Sequence, residues 1–228
     1  MASSISSTAN WSTRSPPPDG QSRAVGSSHS VTIVERLELS PYDRGMTLLD
    51  SISVPTVTAE ERATRLTEAG SAWGERIAAD AANGRLTYRV SGSGEGSVAS
   101  TIVAGKHAFV VDEPAALAGD DVAASPVEVA LGALISCQIV VYRLYAQALG
   151  IRVDEINIRA EGDLDARRLF GIEESVRPGF TDVRLQISIT GPETEERYQE
   201  LRSAVDAHCP VLDLFANPTP VSITVSKA

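Results

Sequence analysis

The segment that most constrains this chain is VEVALGALISCQIVVYRLYAQALG, residues 127–150, which is apolar on nearly every face. Ser125 ahead of it suits the N-cap, Pro126 suits the first helical position, and Glu128 completes a capping box. Gly150 supplies the stop. The pattern predicts one long helix. A helix with no wet face cannot lie on the surface of a lone domain, so it belongs inside the molecule or at a subunit interface. Cys137 falls near its middle.

The elements around it are shorter. Thr58 with Glu61 forms a second capping box, and Leu66, Ala69, Trp73 and Ile77 recur at helical spacing until Asn83-Gly84. Three strand-like runs follow: Leu86/Tyr88/Val90, Val98 to Val103, and Phe109/Val111. SGSGEG and AGK separate them, which predicts a three-stranded antiparallel meander. Beyond the long helix, Ile151 to about Ala160 reads as a strand whose alternation slips at Asp154-Glu155. Val183, Leu185, Ile187 and Ile189 alternate cleanly with polar residues, the mark of a sheet with one wet face. Thr194 opens a helix with Tyr198, Leu201 and Val205 facing inward, Pro210 ends or restarts it, and Val221, Ile223 and Val225 form a last strand. Helices and strands do not alternate strictly, so the class is α+β rather than doubly wound.

Residues 1–30 hold ten serines and the run Pro16-Pro17-Pro18, and we expect them to be a disordered tail. Residues 31–57 form an extension of uncertain structure, 58–83 the first helix, and 84–228 the main domain. The start lacks the apolar core of a secretory signal, and no run approaches the roughly 18 to 20 uninterrupted apolar residues of a membrane span. With 20 Lys+Arg against 30 Asp+Glu, the net charge of -10 disfavours nucleic acid and anionic membranes as partners. The expected location is the cytoplasm. GxGxxG, GxxxxGK[ST] and HExxH are all absent, which removes the usual support for nucleotide and zincin readings.

Only two cysteines are present, Cys137 and Cys209, too few for a disulfide scaffold, a four-cysteine zinc site or an iron–sulfur cluster. A buried cysteine is commonly just a small hydrophobe, and that reading stands beside any reactive one. Cys209 sits in HCPVLDLF, where Pro210 favours a new helical turn with Cys209 at or near its N-cap, and N–H groups there would stabilise a thiolate. The two lie 72 residues apart, so they are no local CxxC. They could pair if facing helices brought their Cα atoms within about 7 Å. Cys137, Cys209 and His208 give at most three metal ligands, and a Cys-His-Asp hydrolase would have only His29, His107 and His208 to draw on.

SPVEVALGALISC at 125–137, GIEESVRPGF ahead of the strand TDVRLQISI, and HCPV at 208–211 together resemble the OsmC/Ohr family of thiol-dependent peroxidases and their relatives. The resemblance covers about residues 84–227. It implies an OsmC-like fold: antiparallel sheets packed on two long central helices in an intertwined homodimer, with the active site at the interface. It further implies that Cys137 is the peroxidatic cysteine, reducing an organic hydroperoxide or hydrogen peroxide, and Cys209 the resolving one. Reduction would come from a dithiol such as a lipoylated protein, with no metal or organic cofactor.

The motif departs from the family's dedicated peroxidases at one point. They place a glutamate directly after the helix-starting proline, paired with an arginine that activates the thiolate. Here Val127 follows Pro126 and the carboxylate is Glu128, about 100° further round the helix. Arg89 and Arg85 beside the first strand are the nearest candidate arginines, with Arg177 in the polar connection. The chain therefore resembles the broad OsmC-like group more than the organic-hydroperoxide branch. The alternative expectation is a non-enzymatic dimer binding a small apolar ligand in the interface pocket.

Overall fold

The computed structural model describes residues 54–227; the expected tail at 1–30 and nearly all of the 31–57 extension lie outside the described residues. The compact unit begins at Val57. Helix α1 (Ala59–Ala79) starts on the Thr58/Glu61 capping box, with the Glu61 N–H donating to Thr58 Oγ1 at 3.1 Å and the Thr58 N–H to Glu61 Oε2 at 2.8 Å. It ends four residues before Asn83-Gly84, because Asp80 turns extended and accepts from the Ala82 N–H to start a 3-10 turn. No residue of α1 is fully buried.

The meander consists of β1 (Val90–Glu95), β2 (Ala99–Ala104) and β3 (His107–Val111), antiparallel in that order. Its first strand differs from expectation. Leu86 and Tyr88 precede it, and most of SGSGEG, read as a separator, lies within it. The reason is packing across the pair: Gly92 sits opposite Ile102, and a Cβ on Gly92 would stand 2.9 Å from Ile102 Cδ1. The turn is made one step later by Gly96, in the left-handed region at φ 56°.

The loop from Glu113 to Ala124 is built around Asp112. Its buried carboxylate accepts from the N–H groups of Asp120 at 3.0 Å and Val122 at 3.2 Å, and these with the neighbouring amides hold its pKa below the ordinary aspartate value. The loop delivers Ser125 to the N-cap of α2 (Pro126–Leu149), the long helix that the sequence predicts, closed by Gly150 at φ 64°. By length and composition α2 alone would suffice to cross a membrane, more than the uninterrupted-run criterion allowed. Here it packs on α1 and buries Leu134, Gln138, Val141, Tyr142 and Ala146.

Strands β4 (Glu155–Leu164) and β5 (Phe180–Thr190) pair antiparallel, with Ile156 opposite Ile189 and Ile158 opposite Ile187. The strand begins at the Asp154-Glu155 slip rather than at Ile151. Ile151 and Val153 are buried ahead of it as part of the core. Helix α3 (Glu195–His208) buries Leu201 and Val205, and α4 (Pro210–Ala216) restarts at the expected proline. The core joins Val141, Tyr142 and Ala146 of α2 to Leu201, Val205 and Cys209, with Ile156, Ile158, Ile187 and Ile189 of the sheet against it.

The last expected strand does not form. Val221, Ile223 and Val225 lie beyond α4 without regular structure, and Val225 is 91% exposed. Their alternation is real, but a strand exists only when a neighbour accepts its hydrogen bonds, and nothing in the described chain does so. The α+β expectation holds, with two antiparallel sheets.

Candidate thiol site

Cys137 projects from the middle of α2 against the core cluster, and Cys209 stands at the joint between α3 and α4, only 3% exposed. Pro210 creates that joint, since its ring suits the first position of a new helix while blocking continuation of α3. Packing of α3 and α4 on α2 brings the two free thiols near each other, close enough for Cys209 to act on the pKa of Cys137.

The start of α4 serves the other thiol than the sequence suggests. Cys209 occupies the N-cap but makes no side-chain capping bond. Instead the backbone N–H of Val211 lies close enough to lower the pKa of the Cys137 thiol. Three influences therefore compete at Cys137. Burial is the largest and pushes its pKa above the ordinary thiol value, the Val211 N–H pulls it down, and Cys209 pushes it up again through the shared hydrogen bond and repulsion between two sulfurs that cannot both ionise cheaply. Within one protomer Cys137 is thus held as a thiol.

The other candidate residues stand apart from the pair. Glu128 is occupied at its cap: its Oε2 accepts from the Ser125 N–H at 2.8 Å and the Ser125 hydroxyl at 2.7 Å, and these bonds lower its pKa. It lies nine residues before Cys137, about 13 Å along the helix axis. Arg89 is exposed one residue ahead of β1, Arg85 is exposed at the end of the 3-10 turn, and none of the described charges acting on Cys137 is an arginine. Arg177 lines a separate cleft of about 360 Å³ with Leu134, Phe180, Leu185, Leu212 and Phe215. His208 is turned away to use: its ring lies 4.5 Å from that of Tyr145, and Nδ1 donates to the Ala204 carbonyl at 2.7 Å.

Two contributors escaped the sequence reading. Val211 acts through its main chain, which carries no residue signature. Gln138, next to Cys137, is buried to 1% exposure. Its signal was available: an amide at the position between Leu134 and Tyr142, on the inward stripe of an otherwise apolar helix.

Comparison with known proteins agrees with this architecture. Residues 119–224 match the profile of the family described as OsmC-like protein. An OsmC like protein from Mycoplasma pneumoniae has a similar structure, with a TM-score of 0.51 at 17% identity over 57% of this chain and 88% of that one. A putative osmotic stress induced and detoxification response protein from Psychrobacter arcticus gives a TM-score of 0.47 at 14% identity, covering 57% and 89%. An organic hydroperoxide resistance protein OsmC from Legionella pneumophila gives 0.46 at 19%, covering 57% and 89%. At such identity the Mycoplasma likeness speaks to the fold. No curated protein matches the sequence.

Proposed function

Because residues 119–224 belong to the OsmC-like family, we propose that the protein is a homodimeric thiol peroxidase of the cytoplasm that reduces organic hydroperoxides or hydrogen peroxide. The observation that carries this reading is the proximity of Cys137 to Cys209, two thiols gathered from 72 residues apart and both free. The Cys137 thiolate attacks one peroxide oxygen, the O–O bond breaks, and the other oxygen leaves as alcohol or water after taking a proton. Cys137 is then a sulfenic acid. The Cys209 sulfur displaces water from it to form the 137–209 disulfide, and a dithiol such as a lipoylated protein returns two electrons and two protons. A compartment that keeps thiols reduced suits this cycle.

A second copy supports the reading in two ways. The apolar side chains of the meander, such as Val90 and Phe109, stay exposed, no other described element packs extensively on that sheet, and Val140 on α2 is 54% exposed. Among the described residues the 221–225 segment likewise pairs with no strand. Dimer assembly would cover this surface, further exclude water from Cys137, and bring in the activating guanidinium that no described residue of one protomer supplies. Arg89, exposed beside β1, is our candidate for it, and Glu128 acts as the cap acid that sets the start of the Cys137 helix.

The test is direct. Reduced protein treated with one equivalent of cumene hydroperoxide should lose both thiols and gain the 137–209 disulfide, while C209S should accumulate a sulfenic acid that dimedone traps. Retention of both thiols, where a control peroxidase reacts, overturns the reading. The alternative, a non-enzymatic dimer binding a small apolar ligand, is favoured by one observation: the raised pKa of Cys137. Ordinary thiol reactivity in the assembled dimer would select it.

A further inference from the structure

Helix α1 and the turn that follows α2 border a groove of about 310 Å³. Ala59, Arg62, Ala63 and Leu66 recur at spacings of three and four, so one face of α1 lines it. Arg143 of α2 and the connection from Ile151 to Asp154 line it as well. Helix α1 lies outside the residues that match the family, so the groove belongs to this chain rather than to the matched domain alone.

In a chain whose net charge is -10, three arginines line this groove against one carboxylate. Asp154 is committed to Arg152, Oδ1 to Nε at 2.9 Å, and nearby Glu193 accepts from the Arg152 main-chain N–H at 3.1 Å. Arg143 donates from Nη1 to the Val153 carbonyl at 2.8 Å and from Nη2 to the Asp154 carbonyl at 3.4 Å. These carbonyls fix its guanidinium against the lining, leave other donors unused and do not cancel its charge. Arg62 is half-buried, and its side chain has no hydrogen-bond or ion-pair partner among the described residues. Its nitrogens and the unused Nε of Arg143 are nevertheless reachable, because among the described residues only Gln138 has enclosed side-chain polar atoms without partners. Burial and the charge of Arg62 both lower the pKa of Arg143, so the two cations stand near enough to repel each other. A bound anion relieves that repulsion.

The two guanidiniums also select among anions. One fork satisfies the two oxygens and single charge of a carboxylate. A phosphoryl group carries close to two charges at neutral pH and three acceptor oxygens, so it serves two forks at once. We propose that this groove binds the phosphoryl group of a small phosphate, free or as a monoester, between Arg62 and Arg143. Leu66 and Ile151 supply apolar surface for the organic part of a monoester. The site is separate from the thiols, since Arg143 lies six residues beyond Cys137, about 9 Å along α2.

The experiment titrates full-length reduced protein, in phosphate-free buffer at neutral pH, with inorganic phosphate, phenyl phosphate and succinate, followed by calorimetry. At least one of the two phosphates should bind saturably, one per protomer, and more tightly than succinate. Tighter binding of phenyl phosphate than of inorganic phosphate assigns the monoester as the source, and the reverse or equality assigns the free ion. R62Q should weaken phosphate binding about tenfold or more, the scale of a hydrogen bond between charged groups. R143K keeps the charge but loses the fork, and it should weaken binding as well. Arg65 is exposed on the same helix and does not line the groove, so R65Q removes an equal charge and should leave the affinity unchanged. No saturable binding of either phosphate, tighter binding of succinate, or equal losses in R62Q and R65Q overturns the proposal. No peroxide enters the titration, so an inactive thiol pair and a failed anion site give separate results.

Discussion

The main-chain N–H of Val211 lowers the pKa of the Cys137 thiol, although the two belong to different helices. Cys209 sits at the N-cap of α4, yet the first turn of that helix turns its donor toward the neighbouring thiol. One sulfur thus receives the backbone support that favours thiolate, while the other supplies a hydrogen bond and a repulsion that oppose it.

The pH dependence of Cys137 alkylation checks this balance. Burial holds its pKa high, and Cys209 raises it further. C209A should therefore move the iodoacetamide rate profile of Cys137 toward lower pH relative to wild type. Adding V211P removes the N–H at a helix position that tolerates proline, and the profile should move back up. Unchanged profiles in both variants would show that these contacts do not control the thiol.

Asp112 gives the loop before α2 a signed dependence on pH. Its folded pKa is depressed by the backbone N–H groups it accepts, so its contribution to stability is present above the unfolded value of about 3.9 and is lost as pH falls through the lower folded value. D112N should lower Tm at pH 7, and the gap from wild type should close as the pH drops below about 4. A gap that stays constant with pH would assign the effect to packing instead.

Two glycines should respond in opposite directions to alanine. A Cβ on Gly119 would stand 1.6 Å from the Glu113 carbonyl oxygen, so G119A must open the Asp112 loop and should lower Tm. Gly70 lies inside α1 with nothing within 4 Å of the same atom, and G70A should stabilise by roughly 0.5–1 kcal/mol through helix propensity. Thermal unfolding of both variants reads the contrast.

Leu201 and Val140 separate folding from assembly. Leu201 is fully buried in the core, and L201A should cost about 2–5 kcal/mol in denaturant unfolding. Val140 lies on the open face of α2, where V140D should leave the secondary structure intact and shift sedimentation toward the monomer. A dimer unaffected by V140D would place the interface elsewhere.

Features closed by hydrogen bonds within a few residues were readable in the chain itself. The Thr58/Glu61 and Ser125/Glu128 boxes, the Gly150 stop and the Pro210 restart all act over one helical turn, so residue type and spacing determine them. Where the outcome depended on a partner across space, the same reasoning stopped short. Gly92 and Gly94 read as a turn because glycine usually breaks strands, yet Gly92 is needed opposite Ile102. Val221, Ile223 and Val225 alternate like a strand, yet alternation cannot supply the neighbour that makes one. The sequence alone determined the long apolar helix with Cys137 at its centre and a helix start at Cys209-Pro210. Only the packing of α3 and α4 onto α2 decided that the two thiols lie near each other, that Val211 acts on Cys137, and that the Gln138 amide is buried without a partner among the described residues, because each depends on distances between segments that no local pattern encodes.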